Sequence, residues 1–172
     1  AYFALLGGVA PFLSLYFESL GFSPARIGEL VAIPMLMRCI APNLWGWLGD
    51  ATGQRLLIVR VGALLTALCF AGIFWRQDYW WLAAIMALHS FFWHAVLPQF
   101  EAITLAHLGS QSARYSQLRL WGSVGFILTV VLLGLLLQRA GMAVYPMAMF
   151  GIMLLIAVCS TLVPQPPRQP AS

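Results

Sequence analysis

The sequence predicts an all-α membrane protein with six transmembrane helices, and its composition and its pattern of apolar runs both support this fold class. Of its 172 residues, 62% are hydrophobic and 8% are charged, whereas soluble globular domains carry about 25% charged residues. A membrane-spanning helix needs about 20 apolar residues, so the chain has room for about six spans with short connections. The abundance of apolar residues also excludes an intrinsically disordered chain.

Three apolar runs occupy the first part of the chain. The second run begins after Ser23 and Pro24, where serine is a favoured N-cap and proline suits the first helical turn. A polar turn over residues 49–55 then leads into the third run. We therefore expect spanning helices over residues 1–17, 27–48 and 56–75.

Three further apolar runs follow, and the first of them is interrupted by residues that are unusual in a span, namely His89, His94, Pro98 and Glu101. A polar segment, predicted to be a loop that includes His107, precedes the fifth run. We expect these spans over residues 79–105, 117–137 and 142–163. The remaining residues contain four prolines and no apolar run, which is typical of an extended linker. The predicted domains are a transmembrane bundle over residues 1–163 and a proline-rich cytoplasmic tail or linker over residues 164–172.

The arginines favour a cytoplasmic position for the chain start and the tail. An even number of spans places both ends on one side of the membrane. Four arginines lie on that side and three on the other, which agrees with the excess of positive charge in cytoplasmic loops. The two groups are Arg55, Arg60, Arg114 and Arg168 against Arg26, Arg76 and Arg139.

Several classes of function lack support in the sequence. The nine positive charges are all arginine and are scattered singly, so there is no basic patch for a nucleic acid. The three cysteines have no metal-ligand spacing. His89 and His94 are five residues apart and are expected to point to different sides of a helix, so they form a poor metal pair. No metal, no other cofactor and no enzymatic activity is predicted.

The most specific motif joins the second and third spans and reads Gly46-x-Leu48-x-Asp50-x-x-Gly53-x-Arg55. Its glycines permit a tight turn, and its two charges can form a latch that breaks easily at the water interface. Each residue alone fits an ordinary polar turn, but five matches at fixed spacing favour a gating loop. The motif resembles the cytoplasmic loop between helices two and three of the major facilitator superfamily, from which Ala51 and Gln54 depart because the family has basic residues there.

A second candidate feature is an acid–base pair in neighbouring spans. Glu101 lies late in the fourth span and Arg119 lies early in the fifth. A charge in the hydrocarbon region costs about 2.5–3.5 kcal/mol, and an antiparallel hairpin would let the two charges offset each other. His94 lies two helical turns before Glu101 and is expected on the same face. The alternative is that both charged side chains extend to the water interface.

Arg38 is the third candidate, since it lies in the middle of the second span, one turn from both Pro34 and Pro42. An unpaired arginine is expensive in lipid, so Arg38 must face a partner or a wet cavity. A structural ion pair and an arginine side chain that reaches the cytoplasmic interface are the alternatives to a role in substrate binding.

Residues 115–126, which read YSQLRLWGSVGF, resemble helix five of major facilitator proton symporters related to the phenylpropionate and lactose permeases. An acid spaced from that arginine as Glu101 is from Arg119 also occurs in this group, as does an arginine placed like Arg38. The resemblance implies the N-terminal six-helix half of such a transporter, with a C-terminal six-helix half as its missing partner.

The resemblance also implies a function, which is proton-coupled symport of a small organic solute by alternating access in the bacterial inner membrane. The expected partners are the solute, the proton and the lipid bilayer. Glu101 is the expected proton-sensitive carboxylate and pairs with Arg119, while His94 and Arg38 line the cavity. An aromatic acid such as phenylpropionate is the favoured solute. The alternatives are a sugar or nucleoside symporter and a six-span membrane subunit that does not transport.

Overall fold

The computed structural model of the chain describes residues 2–108 and 113–162. Within these ranges the regular structure is helical, without strands, which confirms the all-α prediction. Two short 3₁₀ turns, Gly72–Phe74 and Met142–Val144, precede α4 and α6. The six long helices are α1 (Tyr2–Ser19), α2 (Pro24–Thr52), α3 (Arg55–Ala71), α4 (Tyr79–Leu108), α5 (Ala113–Ala140) and α6 (Tyr145–Thr161). By length and composition, α2 to α6 are each able to cross a membrane when the adjoining 3₁₀ turns are included.

The start of α2 agrees with the prediction, but its end does not. Ser23 is the N-cap in an extended conformation and proline occupies the first turn. The helix then continues to Thr52, so Asp50 lies in its last turn rather than in an open polar turn. Gly53 ends the helix with a φ of 64°, and its N–H donates to the Gly49 carbonyl at 3.0 Å. Glycine accepts this left-handed conformation without a steric penalty.

The polar segment predicted between the fourth and fifth spans is also shorter than expected. The backbone of His107 belongs to the last turn of α4, and α5 already begins at Ala113. The prediction of a loop at His107 is therefore wrong, because polar residues that suit a helix extend both helices beyond their apolar segments. Residues 109–112 and the predicted linker over 164–172 lie outside the described residues.

Helix α4 is the centre of the packing, since it contacts both α2 and α3 along their length. Helix α1 packs against α5 and α6, and α3 packs against α6. Small residues allow α3 to approach α4, and Ala63 and Ala67 are both buried there beside Val96 and Met86. Helices α2 and α5 are the least covered, with exposed apolar residues that include Met35, Ile40 and Trp47 on α2 and Ile127, Leu132 and Leu135 on α5.

Arg60 of α3 holds the carboxyl end of α6. Its guanidinium donates to the backbone oxygen of Ser160 at 3.4 Å and to that of Thr161 at 3.1 Å. The last carbonyls of a helix lack amide partners within the helix, and a positive charge at that end also complements the helix dipole. Arg60 therefore stabilises the C-terminal end of α6, where the backbone carbonyls have no donor within the helix.

The contact between α1 and α5 depends on a glycine. A Cβ atom on Gly7 would lie 2.7 Å from the backbone oxygen of Phe126. Backbone cannot move aside as a flexible side chain can, so the two helices would have to separate. On the other side of α1, the Tyr145 hydroxyl of α6 donates to the Gly8 carbonyl at 3.3 Å.

We predict that Gly7→Ala destabilises the bundle by about 1–3 kcal/mol, which is the usual effect of overpacking a close contact. The matched control is Gly125→Ala on α5, because a Cβ at Gly125 meets nothing within 4 Å. Thermal unfolding of the purified protein in detergent, followed by circular dichroism, measures both effects. Equal midpoints for the two variants would contradict the close approach of α1 and α5.

Candidate functional site

A cavity of about 300 Å³ lies between α1, α2 and α4, and α3 and α6 each contribute one residue to its wall. Most of its wall is aliphatic or aromatic, and Leu13, Phe70 and Trp93 are examples. Its polar lining residues are Ser14, Arg38, His89, Ser90, His94 and Tyr145. A more open depression of about 490 Å³ between α1 and α5 has Glu18 as its one charged or titratable described lining residue. The polar residues therefore make the first cavity the candidate site.

Helix α4 presents both of its central histidines to this cavity. His89 and His94 were expected to point to different sides of the helix, and both nevertheless border this cavity. Five residues separate them by about 140° around the helix axis, and the cavity is wide enough to include both. The α4 lining residues are Met86, His89, Ser90, Trp93 and His94, the spacing of one broad helical face.

His89 is buried in this wall, with 5% of its surface exposed. Its Nδ1 lies 3.4 Å from the backbone oxygen of Thr66 on α3. The imidazole ring also packs against Phe70, with ring centroids 5.4 Å apart. The Thr66 hydroxyl does not compete for His89, because it donates to the Gly62 carbonyl at 2.7 Å.

Arg38 and His94 face each other across the cavity wall. The His94 ring lies against the backbone carbonyl of Pro34 and is in electrostatic range of Arg38. Among the described residues, the Arg38 guanidinium forms neither an ion pair nor a hydrogen bond. The cavity therefore holds a permanent positive charge that its described lining does not neutralise, because none of the lining residues is an aspartate or a glutamate.

Two prolines free backbone oxygens beside these side chains. Pro42 lies four residues after Arg38, and Pro98 lies four residues after His94. Proline has no N–H, so the carbonyls of Arg38 and His94 lack their usual helical donor. Each residue thus offers a backbone acceptor as well as its side chain at the same depth.

Glu101 and Arg119 lie outside the cavity wall. Glu101 is half-buried on α4 and Arg119 is exposed on α5. The ion pairs among the described side chains are Arg55–Asp50 and Arg76–Asp78, so the predicted Glu101–Arg119 pair is not one of them. The reason is the packing, because α5 lies chiefly against α1 and only briefly against α4.

Tyr2 borders the cavity through Trp93. Its hydroxyl is in electrostatic range of both Arg38 and Glu101. Its ring stacks on Trp93, a cavity residue, with centroids 4.1 Å apart and an interplanar angle of 5°. Tyr2 is therefore a direct neighbour of the cavity residue Trp93.

The motif between α2 and α3 forms an ion pair within itself. Arg55 at the start of α3 binds the Asp50 carboxylate in the last turn of α2, and both side chains are exposed. Gly53 makes the sharp turn that brings them together, while Gly46 has open space around its Cα. The predicted loop residues Gly46, Asp50, Gly53 and Arg55 thus lie at the α2–α3 junction.

The sequence analysis did not identify the bonds that join α2 to α4 near this junction. The Trp45 indole donates to the Phe91 carbonyl at 3.1 Å, and the Trp45 carbonyl accepts from the Gln99 amide at 2.9 Å. Gln99 is 2% exposed and packs against Gly49, where a Cβ would lie 2.8 Å from the amide. In the sequence, the signal for this contact was a glutamine inside an apolar run.

Comparison with known proteins gives one family and several relatives. The profile of the MFS_1 like family matches residues 1–170. Maltose permease of Geobacillus stearothermophilus is 31% identical over 96% of this chain and 42% of its own length. A probable 3-phenylpropionic acid transporter of Escherichia coli strain K12 is 28% identical over 95% of this chain and 44% of its own length.

A third relative is a multi-drug resistance efflux pump homolog of Lactococcus lactis, which is 29% identical over 78% of this chain and 34% of its own length. The chain thus spans less than half the length of these curated relatives. No solved structure gives a significant match.

Proposed function

The chain belongs to the MFS_1-like family, and we propose that it forms one six-helix bundle of a secondary transporter for a small organic anion. It is a multi-pass membrane protein, and its relatives are named as permeases, transporters and efflux pumps. More than half of the length of the two permease-type relatives lies beyond the matched region. A second six-helix bundle from that region would close the cavity from the side that α2 leaves open.

The uncompensated charge of Arg38 is the observation that carries this proposal. A guanidinium stays protonated at every physiological pH, and its placement in the middle of a span without a counter-charge costs about 2.5–3.5 kcal/mol. The described lining supplies no carboxylate. A bound carboxylate would supply the missing negative charge and can accept two parallel hydrogen bonds from arginine.

The remaining wall favours an apolar body on that anion. Aliphatic and aromatic side chains make up most of the cavity wall, and Trp93, whose ring stacks with that of Tyr2, is one of them. Flat aromatic rings pack well in such surroundings. An aromatic acid therefore fits the wall better than a sugar, whose many hydroxyl groups need more hydrogen-bonding partners than six polar lining residues offer.

Transport would proceed by alternating access, with one bundle rocking against the other around the central site. The Asp50–Arg55 pair fits a gate because exposed ion pairs contribute only about 0–1 kcal/mol and are easily exchanged. Glu101 is the proposed proton-binding carboxylate. Its protonation would neutralise the one acidic side chain of α4, and this change of charge would link solute binding to the proton.

We predict that Arg38→Gln weakens the binding of 3-phenylpropionate to the full-length protein by about 10- to 100-fold, since hydrogen bonds to charged groups contribute about 1.5–3 kcal/mol. Arg38→Lys keeps the positive charge but loses the planar guanidinium group. Its affinity for 3-phenylpropionate should lie between those of the wild type and Arg38→Gln. Isothermal titration calorimetry in detergent measures the affinities. Arg139→Gln, an exposed change in the last turn of α5, is the control.

The same titration with maltose separates the substrate classes. Maltose binding that survives Arg38→Gln, in a protein that does not bind 3-phenylpropionate, would replace the anion proposal with the sugar alternative. A full-length protein that binds neither ligand and shows no uptake would favour a non-transporting subunit.

For coupling, we predict that Glu101→Gln abolishes uphill, proton-driven accumulation of 3-phenylpropionate while exchange of bound for free solute continues. The physical reason is that glutamine cannot take up the proton whose gradient drives accumulation. Proteoliposomes with and without a pH gradient measure the two activities. Glu18→Gln, an exposed carboxylate on α1, is the control, and normal accumulation by Glu101→Gln would remove Glu101 from the mechanism.

For the gate, we predict that Asp50→Asn changes the rate of transport but alters the unfolding free energy by less than about 1 kcal/mol, because its ion pair is exposed. Asp78→Asn is the matched control. Asp78 also pairs with an arginine and also lies at the surface, and asparagine keeps its ability to cap α4. Equal transport rates in the two variants would show that the Asp50 pair has no special role.

A further inference from the structure

The tautomer of His89 follows from its contact with α3. The partner of Nδ1 is the Thr66 carbonyl oxygen at 3.4 Å, and a carbonyl oxygen can only accept a hydrogen bond. Nδ1 therefore carries the proton in this contact. A buried imidazole without a counter-ion is neutral because charging it would be costly, so Nε2 is left as a pure acceptor.

The described residues give Nε2 no hydrogen-bonding partner. The described hydrogen-bonding contact of the His89 ring is that of Nδ1 with Thr66. If Nε2 were fully enclosed it would be a buried atom without a partner, and among the described residues the Gln99 oxygen is the one side-chain atom of that kind. Nε2 is therefore not sealed inside the protein, and the residue that carries it lines the cavity. An acceptor that faces the cavity needs a donor from a ligand or from water.

The serine hydroxyls of the wall do not impose the same requirement, because those of Ser14 and Ser90 rotate and can either donate or accept. Tyr145 already donates its hydroxyl hydrogen to the Gly8 carbonyl, so its oxygen can likewise only accept from a ligand. His89 cannot donate into the cavity while Thr66 holds its proton, so it favours ligands that donate a hydrogen bond.

The position of His89 relative to Arg38 completes the argument. Arg38 is in electrostatic range of His94, and five helical residues separate His94 from His89 by about 7.5 Å along α4. The titratable or charged groups that face this cavity are Arg38 from α2, Tyr145 from α6 and the two histidines from α4, while the α1 and α3 residues of the wall supply none. The cavity thus has a cation at one end and an acceptor at the other, with apolar surface between them.

We propose that His89 is a specificity-determining residue that selects arylcarboxylates bearing a hydroxyl group at the end of the ring remote from the carboxylate. The carboxylate meets Arg38, the ring lies against the apolar wall, and the hydroxyl donates to Nε2 of His89. This assignment rests on the proposed function, because it names the substrate class of the same cavity.

The test compares two ligands that differ by one hydroxyl, 3-phenylpropionate and 3-(4-hydroxyphenyl)propionate, on the full-length protein. The wild type should bind the hydroxylated ligand about 10-fold more tightly, since a site built for a hydroxyl disfavours the analogue that lacks it. His89→Phe should reduce this ratio to about one. His107→Phe, far along α4 from the cavity, is the matched control and should keep the wild-type ratio.

A ligand series on the wild type keeps the test decisive if His89→Phe does not fold. 3-(4-Fluorophenyl)propionate can accept but cannot donate, so it should bind no better than the unsubstituted ligand. Equal affinities for the hydroxylated and unsubstituted ligands would overturn the role of His89 while leaving the anion proposal intact. Failure of all three carboxylates to bind would instead overturn the proposed function itself.

Discussion

A permanent charge held in the middle of an apolar helix constrains everything around it. The guanidinium of Arg38 has to reach water or a counter-charge, and α1 and α4 leave open space beside it rather than closing upon it. That space is the cavity, and its polar residues gather on the elements that face Arg38. The packing of small residues between α3 and α4 keeps α4 in place, so His94 and Trp93 stay at the depth of the charge. The position of α4 and the open space of the cavity therefore both accommodate the charge of Arg38.

The fold was predictable from the sequence because a bilayer leaves a chain few choices. Backbone groups in lipid must be satisfied within the segment, so long apolar runs become helices, and all six are found in the described residues. Helix ends were less predictable, since they depend on local capping rather than on hydropathy. Gly53, with its positive φ, ends α2 only after Asp50, and no apolar pattern reports such an end.

The site was predictable only where one residue stood out by its own energetics. Arg38 could be singled out because an arginine in mid-span demands an explanation, and the structure places it in the cavity wall with His94. The relation between Glu101 and Arg119 required knowledge of which helices are neighbours, and chain order does not give this, because α5 packs on α1. His89 was set aside by comparing two histidines alone, whereas the full stripe from Met86 to His94 shows a single wide face.

The double attachment of Trp45 has a mechanical consequence. One tryptophan joins α2 to α4 through its indole and through its own carbonyl, and Pro42 lies just before it in α2, where the helix has lost a hydrogen bond. The segment of α2 that follows Pro42 is thereby joined to α4 by two hydrogen bonds. The helix can bend at Pro42, where one backbone hydrogen bond is missing. A movement of the α2–α3 junction would therefore also move α4, which carries cavity residues, and would not be absorbed by bending of α2 alone.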